Sequence, residues 1–480
     1  MTTSNLNYSP SLPDQQKEVR GPTLVGTACF LGSIFVAFVS FNPGATPAEM
    51  AHQAAIPVGI GFALSIWFDS TAGWNNLFRT DLVCLLVFYS LTLLESVSPK
   101  EFFNNFMTSE QAAAGLNVIL IGFAGMVISR HFSILKPVPK KWLNFSQIPD
   151  RSLFIVFLVS AFLGYLYMLQ SVDFDIQEAM KQRIGPRFAQ AWGRGKYGGL
   201  DSLISELKLL RFAIPPIAGI LWNRRKNINI FQMAIVILVL AFVFYQGFAG
   251  GTRNVFGSYL IGFVAGYLLS LERIKIWKIL VPIGLTGYLM TFATRHMLAF
   301  RNMGLRRYIE FEVYKDTLES ANEQGLALDF SLWHIGTIVE AVPTQYDFLG
   351  WELINVFATK PIPRALWAAK PTELSTSIEE ITGQTQMTVA TTYVGESYMM
   401  AGIIGVIIVS LIIGAASNWW TRTMFQQSSG YAVAVGAVGF FVAAMTMRSL
   451  AFFTTNILPI IALIFLAQVV PSWIGAKQRQ

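Results

Sequence analysis

The sequence predicts an all-α, polytopic integral membrane protein of about 12 transmembrane helices (11–13), with a large, partly helical extracytoplasmic loop between spans nine and ten. Three observations predict it. The 480 residues are 53% hydrophobic and 13% charged, roughly half the charged share of about 25% in soluble domains, so the chain cannot coat a water-facing surface. The apolar residues gather in repeated stretches of about 18–20, the length at which a helix crosses a hydrocarbon core. A backbone in lipid must satisfy its own hydrogen bonds, which makes those stretches helices. Finally, Lys and Arg are unevenly shared between alternate connecting segments.

In chain order, residues 1–21 read as a disordered tail, polar and carrying Pro10 and Pro13. The next segment is as long as a full span and has no small-residue cleavage site, so it reads as a first helix and not a removed signal peptide. Hydropathy places spans at 22–41, 50–68, 79–97, 111–129, 152–171, 205–222, 230–249, 254–271 and 277–295, then at 389–414, 430–447 and 449–470, with a tail at 471–480. Pro57 is expected to break the second span. The pair Pro215-Pro216 predicts a kink in the sixth, which also carries Lys208 and Arg211. With the N-terminus inside, the inside segments hold seventeen Lys and Arg, from Lys17 and Arg20 through Arg79 and Arg130 to Lys477 and Arg479. The short outside loops hold three, Lys100, Arg253 and Arg448. Both termini are therefore expected in the cytoplasm.

The long outside segments, 172–204 and 296–388, are both basic. Long loops translocate largely regardless of charge, so these cations need another reason. The net charge of +7 comes without any long basic run, which points to anionic lipid or an anionic substrate and away from nucleic acid. Cys29 and Cys84 both lie in apolar stretches, and the four histidines have no metal-ligand spacing, so neither a disulfide framework nor a metal site is expected. The loop 296–388 reads as folded. Residues 298–320 have helical spacing, 331–342 read as a short helix, and 348–368 combine aromatics with Lys360 and Arg364 in the manner of an interfacial segment.

Three motifs can carry chemistry. Gly250 to Asn254 (GGTRN) make a tight turn in which the backbone can approach a ligand and Arg253 offers a planar fork for phosphate, although the glycines can simply turn the chain while the Arg snorkels. Lys360 to Pro371 hold Lys360, Arg364 and Lys370 on a frame stiffened by prolines, suited to clamping a diphosphate or to binding headgroups. In Thr391 to Gly405, Glu396 sits at the membrane edge, where a carboxylate is a candidate general base or half of a structural ion pair. Tyr393 and Tyr398 beside it can bind a sugar or belong to an aromatic belt. Weaker candidates are His334, Glu340, Arg295, Arg301 and Arg211.

These motifs, in this order, resemble the oligosaccharide repeat-unit polymerases, the O-antigen polymerase (Wzy-type) family of bacterial envelopes. The resemblance rests on Gly251-Thr252-Arg253, on Ile362-Pro363-Arg364 with Leu366-Trp367 and Lys370-Pro371, and on Gly395-Glu396-Ser397-Tyr398 followed by Gly402 and Gly405. It implies a glycosyltransferase of the bacterial plasma membrane, without metal or cofactor, that joins repeat units carried on undecaprenyl diphosphate at the outer face. It also implies flippase and chain-length regulator proteins as partners. In that setting Glu396, Arg253 and Arg364 are the expected catalytic residues. Lys370, Lys360, Tyr398, Tyr393, Arg295, Arg301, His334, Glu340 and Arg211 are the expected substrate-binding residues. The alternatives are a polysaccharide ligase and, in another class, a transporter or flippase with twelve spans. The transporter predicts two similar halves around a long central inside loop. Here the loop after the sixth span is short and the largest follows the ninth.

Overall fold

A computed structural model describes residues 21–477 except 41, 43, 100, 102, 140–141, 144, 146–147, 149, 188–205, 272–274, 311–329, 363–365, 368, 372–373, 384–390 and 426–428. The described residues are all-α, without strands. A helix stands in each segment that hydropathy selects. These are α1 (Leu24–Val39), α2 (Pro47–Thr71), α3 (Thr80–Thr92), α4 (Ser109–Ser129), α5 (Asp150–Gln170), α7 (Ile214–Asn223), α8 (Ile230–Ala249), α9 (Arg253–Leu269), α10 (Ile276–Glu310), α13 (Thr392–Phe425), α14 (Gly430–Arg448), and α15 (Ala451–Asn456) with α16 (Leu458–Lys477). From the two long segments come α6 (Ile176–Ile184), α11 (Ser331–Ala341) and α12 (Trp351–Thr359), together with a short helical turn at Ile378–Thr382. Among the described residues, eight helices are long and apolar enough to cross a membrane, and α1 and α3 are shorter apolar helices.

Local sequence sets the helix ends. Thr46 with Glu49, Thr108 with Gln111 and Asn229 with Gln232 form capping boxes that start α2, α4 and α8. Pro215 and Pro216 do not kink a continuous sixth helix. A 3-10 stretch, Lys208–Ala213, precedes them, and they begin α7 in its first turn, where a missing N–H costs nothing. The ninth segment does not stop at 295 but runs to Glu310, broken at Gly304. The tenth is broken at Ala401 and Gly402. There Leu349 and Gly350 donate backbone N–H bonds of 2.9 and 3.0 Å to the carbonyls of Met399 and Met400, so the long loop satisfies groups that the break releases. The loop is thereby packed onto the bundle. Leu332 and Ile335 of α11 join the same core as Leu116 and Phe123 of α4 and Tyr393 of α13, and α14 runs through the centre with most of its length buried.

A second correction concerns two cations that the sequence places in inside loops. Arg79 and Arg130 are 1% and 0% exposed. Arg79 donates to Asp81 through Nε (2.9 Å) and Nη2 (2.8 Å), and to Asp69 through Nη2 at 2.8 Å. Arg130 lies 3.6 Å from Asp69 and donates to Thr27 and Ser65. Thr23 closes the network on Asp69 through its N–H and hydroxyl, each at 2.7 Å. Two Asp and two Arg balance in charge, which is what lets them leave water. The network ties the ends of α2 and α4 to the start of α3. Asp69→Ala leaves two buried guanidinium groups short of a partner and is expected to destabilise the protein by about 3–5 kcal/mol. Thermal unfolding in detergent measures this, and an unchanged melting curve would remove the network from the stability of the fold.

Candidate functional site: an arginine cluster at one end of the bundle

At the opposite end of the bundle, four elements bring arginines together. The α5 helix crosses the 3-10 stretch at Gly164, where a Cβ would lie 2.8 Å from the Arg211 nitrogen, so the two backbones touch. That contact puts Arg211 beside the end of α5, where Arg211 Nη1 donates to the Tyr167 hydroxyl at 3.3 Å. The guanidinium of Arg183, on α6, lies 5.6 Å from the centre of the same tyrosine ring, and the Tyr245 hydroxyl of α8 donates to the Arg183 carbonyl at 2.9 Å. Beyond α6, Arg187 donates to the Gly250 carbonyl and, at 3.4 Å, to the Thr252 hydroxyl.

The turn between α8 and α9 completes the cluster. Gly251 has φ +64, and a Cβ there would lie 2.3 Å from Arg301 Cδ, so glycine is required both by the backbone and by the arginine laid across it. Gly304, at φ +74, lets α10 pass against the backbone of Ile184 to Pro186, 2.7 Å from where its Cβ would stand. These two close approaches hold Arg301 between the turn and Arg187. Arg253 is the first residue of α9, half-buried, directly after the turn.

The cluster concentrates positive charge. Partial desolvation and the guanidinium groups of Arg301 and Arg211 push Arg187 below its ordinary pKa, with Tyr167 acting in the other direction. Like charges held together are costly alone, and an anion between them reverses the sign of the interaction. Nearby donors are also unmet. Among the described residues, Arg211 Nε, Gln246 Nε2, Asn254 Nδ2 and the Tyr165 hydroxyl are buried without a hydrogen-bond partner. A buried unmet donor costs about 1–3 kcal/mol, and buried atoms of this kind also occur elsewhere in the bundle, Arg79 Nη1 and Arg130 Nη1 among them.

Glu396 lies at the same end. The Phe212 ring, beside Arg211, packs on Tyr259 (4.9 Å) and Phe441 (3.4 Å). Tyr259 is less than two turns from Arg253, and Phe441 about two turns from Arg448, which aligns the start of α9 with the end of α14. The carboxylate of Glu396 accepts from the Ser449 hydroxyl and the Leu450 N–H, each at 2.5 Å, where α14 bends into α15. Lys360 acts on it through space and lies 5.5 Å from the Phe452 ring centre. Glu396 is 4% exposed. It therefore pins the bend into α15, where the Ser449 hydroxyl in turn accepts from the Ala451 N–H at 3.2 Å.

The other expected residues scatter. Lys370 donates to the carbonyls of Lys360 (3.1 Å) and Ile362 (2.7 Å), fastening its own segment. Arg364 lies outside the described residues. Tyr393 is 0% exposed, its ring tilted 4.9 Å from Phe88 and its hydroxyl bonded to Ser410, within the core. Tyr398 is partly buried, 6.5 Å from Phe348. His334 is also buried, its ring stacked 5.0 Å from Trp333 in the core beneath α11. Glu340 is exposed and takes a hydrogen bond from Gln111. Arg295 is exposed on α10, two turns before Arg301. Sequence reasoning missed Arg183, Arg187, Tyr165 and Tyr167. The basic character of 172–204 is the only sequence signal for Arg183 and Arg187, Tyr165 and Tyr167 sit unmarked in an apolar segment, and no spacing joins any of them to Arg211 or Arg301.

Residues 322–471 match the family described as a domain of unknown function (DUF8712), a match that takes in Glu396, α11 to α15 and most of α16 and stops short of the arginine cluster. No curated protein and no solved structure matches the chain.

Proposed function

We propose that this protein is a metal-independent membrane glycosyltransferase that joins oligosaccharide repeat units carried on undecaprenyl diphosphate. The observation that carries the reading is the gathering of Arg211 and Arg301 around Arg187, with Arg187 and Arg301 both against the Gly250–Thr252 turn, at one end of a bundle of apolar helices. In this reading the twelve apolar segments are spans, the termini are cytoplasmic, and the cluster faces outward at the plasma membrane.

The reaction breaks the bond between the anomeric carbon of the growing glycan and its lipid diphosphate. A new bond forms from that carbon to a hydroxyl of the incoming unit, whose proton is released. Negative charge grows on the departing diphosphate. Arginines fixed beforehand around that position stabilise the transition state more than the ground state. Their planar donors match two phosphate oxygens at a time. Arg253, at the start of α9, adds to the same charge. The buried position of Glu396 gives it a positioning role at the α14–α15 bend.

The test is elongation of a lipid-linked repeat unit by the purified protein, read as chain-length ladders with a chelator present. The reading predicts ladders; their absence with authentic substrate would overturn it. Gly251→Ala adds about 1–2 kcal/mol of backbone strain and displaces Arg301. It is expected to reduce elongation as loss of Arg301 does, at matched expression, and wild-type ladders from this variant would take the turn out of the site.

A further inference from the structure

Helix α12 carries two apolar faces. Leu353 and Val356 point inward and are buried. On the other side Trp351 is 81% exposed and Ile354 42%, and the flanking Phe348, Leu366 and Trp367 are exposed as well, Leu366 at 80%. This segment lies outside every helix long and apolar enough to cross a membrane. Five large apolar side chains facing water within twenty residues would be a severe liability in a loop bathed by solvent.

The attachment of α12 says what covers them. The Thr454 hydroxyl of α15 donates to the Phe357 carbonyl at 2.8 Å, and Lys360 lies over the Phe452 ring. From there α15 leads into α16, and the two together, over Ala451–Val469, are long and apolar enough to span; Phe453 of α15 and Ile461 and Phe465 of α16 are exposed to the surroundings. The exposed face of α12 thus continues the lipid-facing belt of α15 and α16. Lys360 and Lys370 stand on the same segment, and cations beside an apolar face suit anionic headgroups.

We propose that α12 is a monotopic membrane anchor. Its face of Phe348, Trp351 and Ile354, with Leu366 and Trp367, sits in the boundary between headgroups and acyl chains of an anionic phospholipid leaflet, at the end of the bundle that bears the arginine cluster. Anchored there, α12 fixes the height of the Lys360–Lys370 segment above the acyl chains. This proposal does not depend on the glycosyltransferase reading and is tested without an activity assay.

The test places single nitroxide labels in the full-length chain, in a Cys29→Ser, Cys84→Ser background, reconstituted in phosphatidylethanolamine–phosphatidylglycerol vesicles. Labels go at Trp351→Cys and Ile354→Cys, with Phe465→Cys as the lipid-facing reference and Glu379→Cys as the water-facing one. Collision with oxygen against a water-soluble nickel complex is then measured. The expected result is a several-fold higher oxygen-to-nickel ratio at 351 and 354 than at 379, approaching that at 465. Ratios equal to that of 379 would overturn the proposal. Exclusion of both agents at 351 and 354 would overturn it too, because it would mean that protein, such as a second copy of this chain, covers the face. All four substituted positions are exposed, so the fold tolerates the labels, and melting curves matching the background confirm this.

Discussion

Arg211→Ala and Arg301→Ala are each expected to slow chain elongation by about 10²–10³-fold, the usual cost of losing one preorganised donor to a developing anion. The two variants differ in what else they disturb. Arg301 lies across Gly251, and its removal opens the turn. Arg211 Nη1 bonds Tyr167, and its removal frees that hydroxyl. Lysine is the informative control. It keeps the charge but loses the planar fork, so Arg301→Lys is expected to recover only part of the loss. Arg295 is exposed on the same helix but belongs to no such contact, and Arg295→Ala is expected to leave elongation within a few-fold of wild type. Equal effects at 295 and 301 would mean that diffuse surface charge, and not a built site, is at work. Chain-length ladders at matched expression report all of these, and binding of the lipid-linked donor separates affinity from rate.

The second large effect is expected at Glu396, where two roles predict opposite results. A general base is destroyed by Glu396→Gln as thoroughly as by Glu396→Ala. A clamp is not. A glutamine carbonyl can still accept from the Leu450 N–H, and its amide can meet the Ser449 hydroxyl. The geometry therefore predicts that Glu396→Gln keeps most activity and stability. Glu396→Ala takes the acceptor from the Leu450 N–H and the Ser449 hydroxyl at the α14–α15 bend and is expected to cost about 1–3 kcal/mol in stability, with a matching fall in activity as α15 and the α12 segment bonded to it shift. Ser449→Ala is expected to show a milder version of the same change. Abolished activity in Glu396→Gln with an unchanged melting curve would return this residue to the role of base.

The fold was legible in the sequence to the extent that it depends on apolar length. Hydropathy finds a helix at every segment it selects because a helix in lipid is dictated by the backbone's need for hydrogen bonds, not by subtle packing. What it cannot see is where a helix pauses. The break at Ala401–Gly402 exists because Leu349 and Gly350, some fifty residues away, take up the freed carbonyls. Pro215-Pro216 read as a kink because proline within an apolar run suggests one, whereas the preceding residues wind as a 3-10 stretch and make them a beginning.

The same limit applies to the candidate site. The Gly251–Arg253 turn, Arg211 and Arg301 were each visible as residues out of place. Their meeting was not, since it depends on Gly164 and Gly304 allowing close crossings between elements distant in sequence. Charge counting also misassigned Arg79 and Arg130. It treats any cation near a span end as solvated, and here Asp69 and Asp81 neutralise both within the bundle. Asp69 and Asp81 bracket Arg79 in sequence, at the ends of two apolar stretches, and that alternation of sign is the signal that could have revealed the network.

The most direct measurement is a structure of the reconstituted protein with a polyprenyl diphosphate bound. The two phosphates are predicted to lie against Arg187, Arg211 and Arg301 beside the Gly250–Thr252 turn, with the lipid tail leaving towards the exposed flank of α10. Phosphates bound instead within a continuous central passage, away from these arginines, would contradict the assignment and place the protein among transporters.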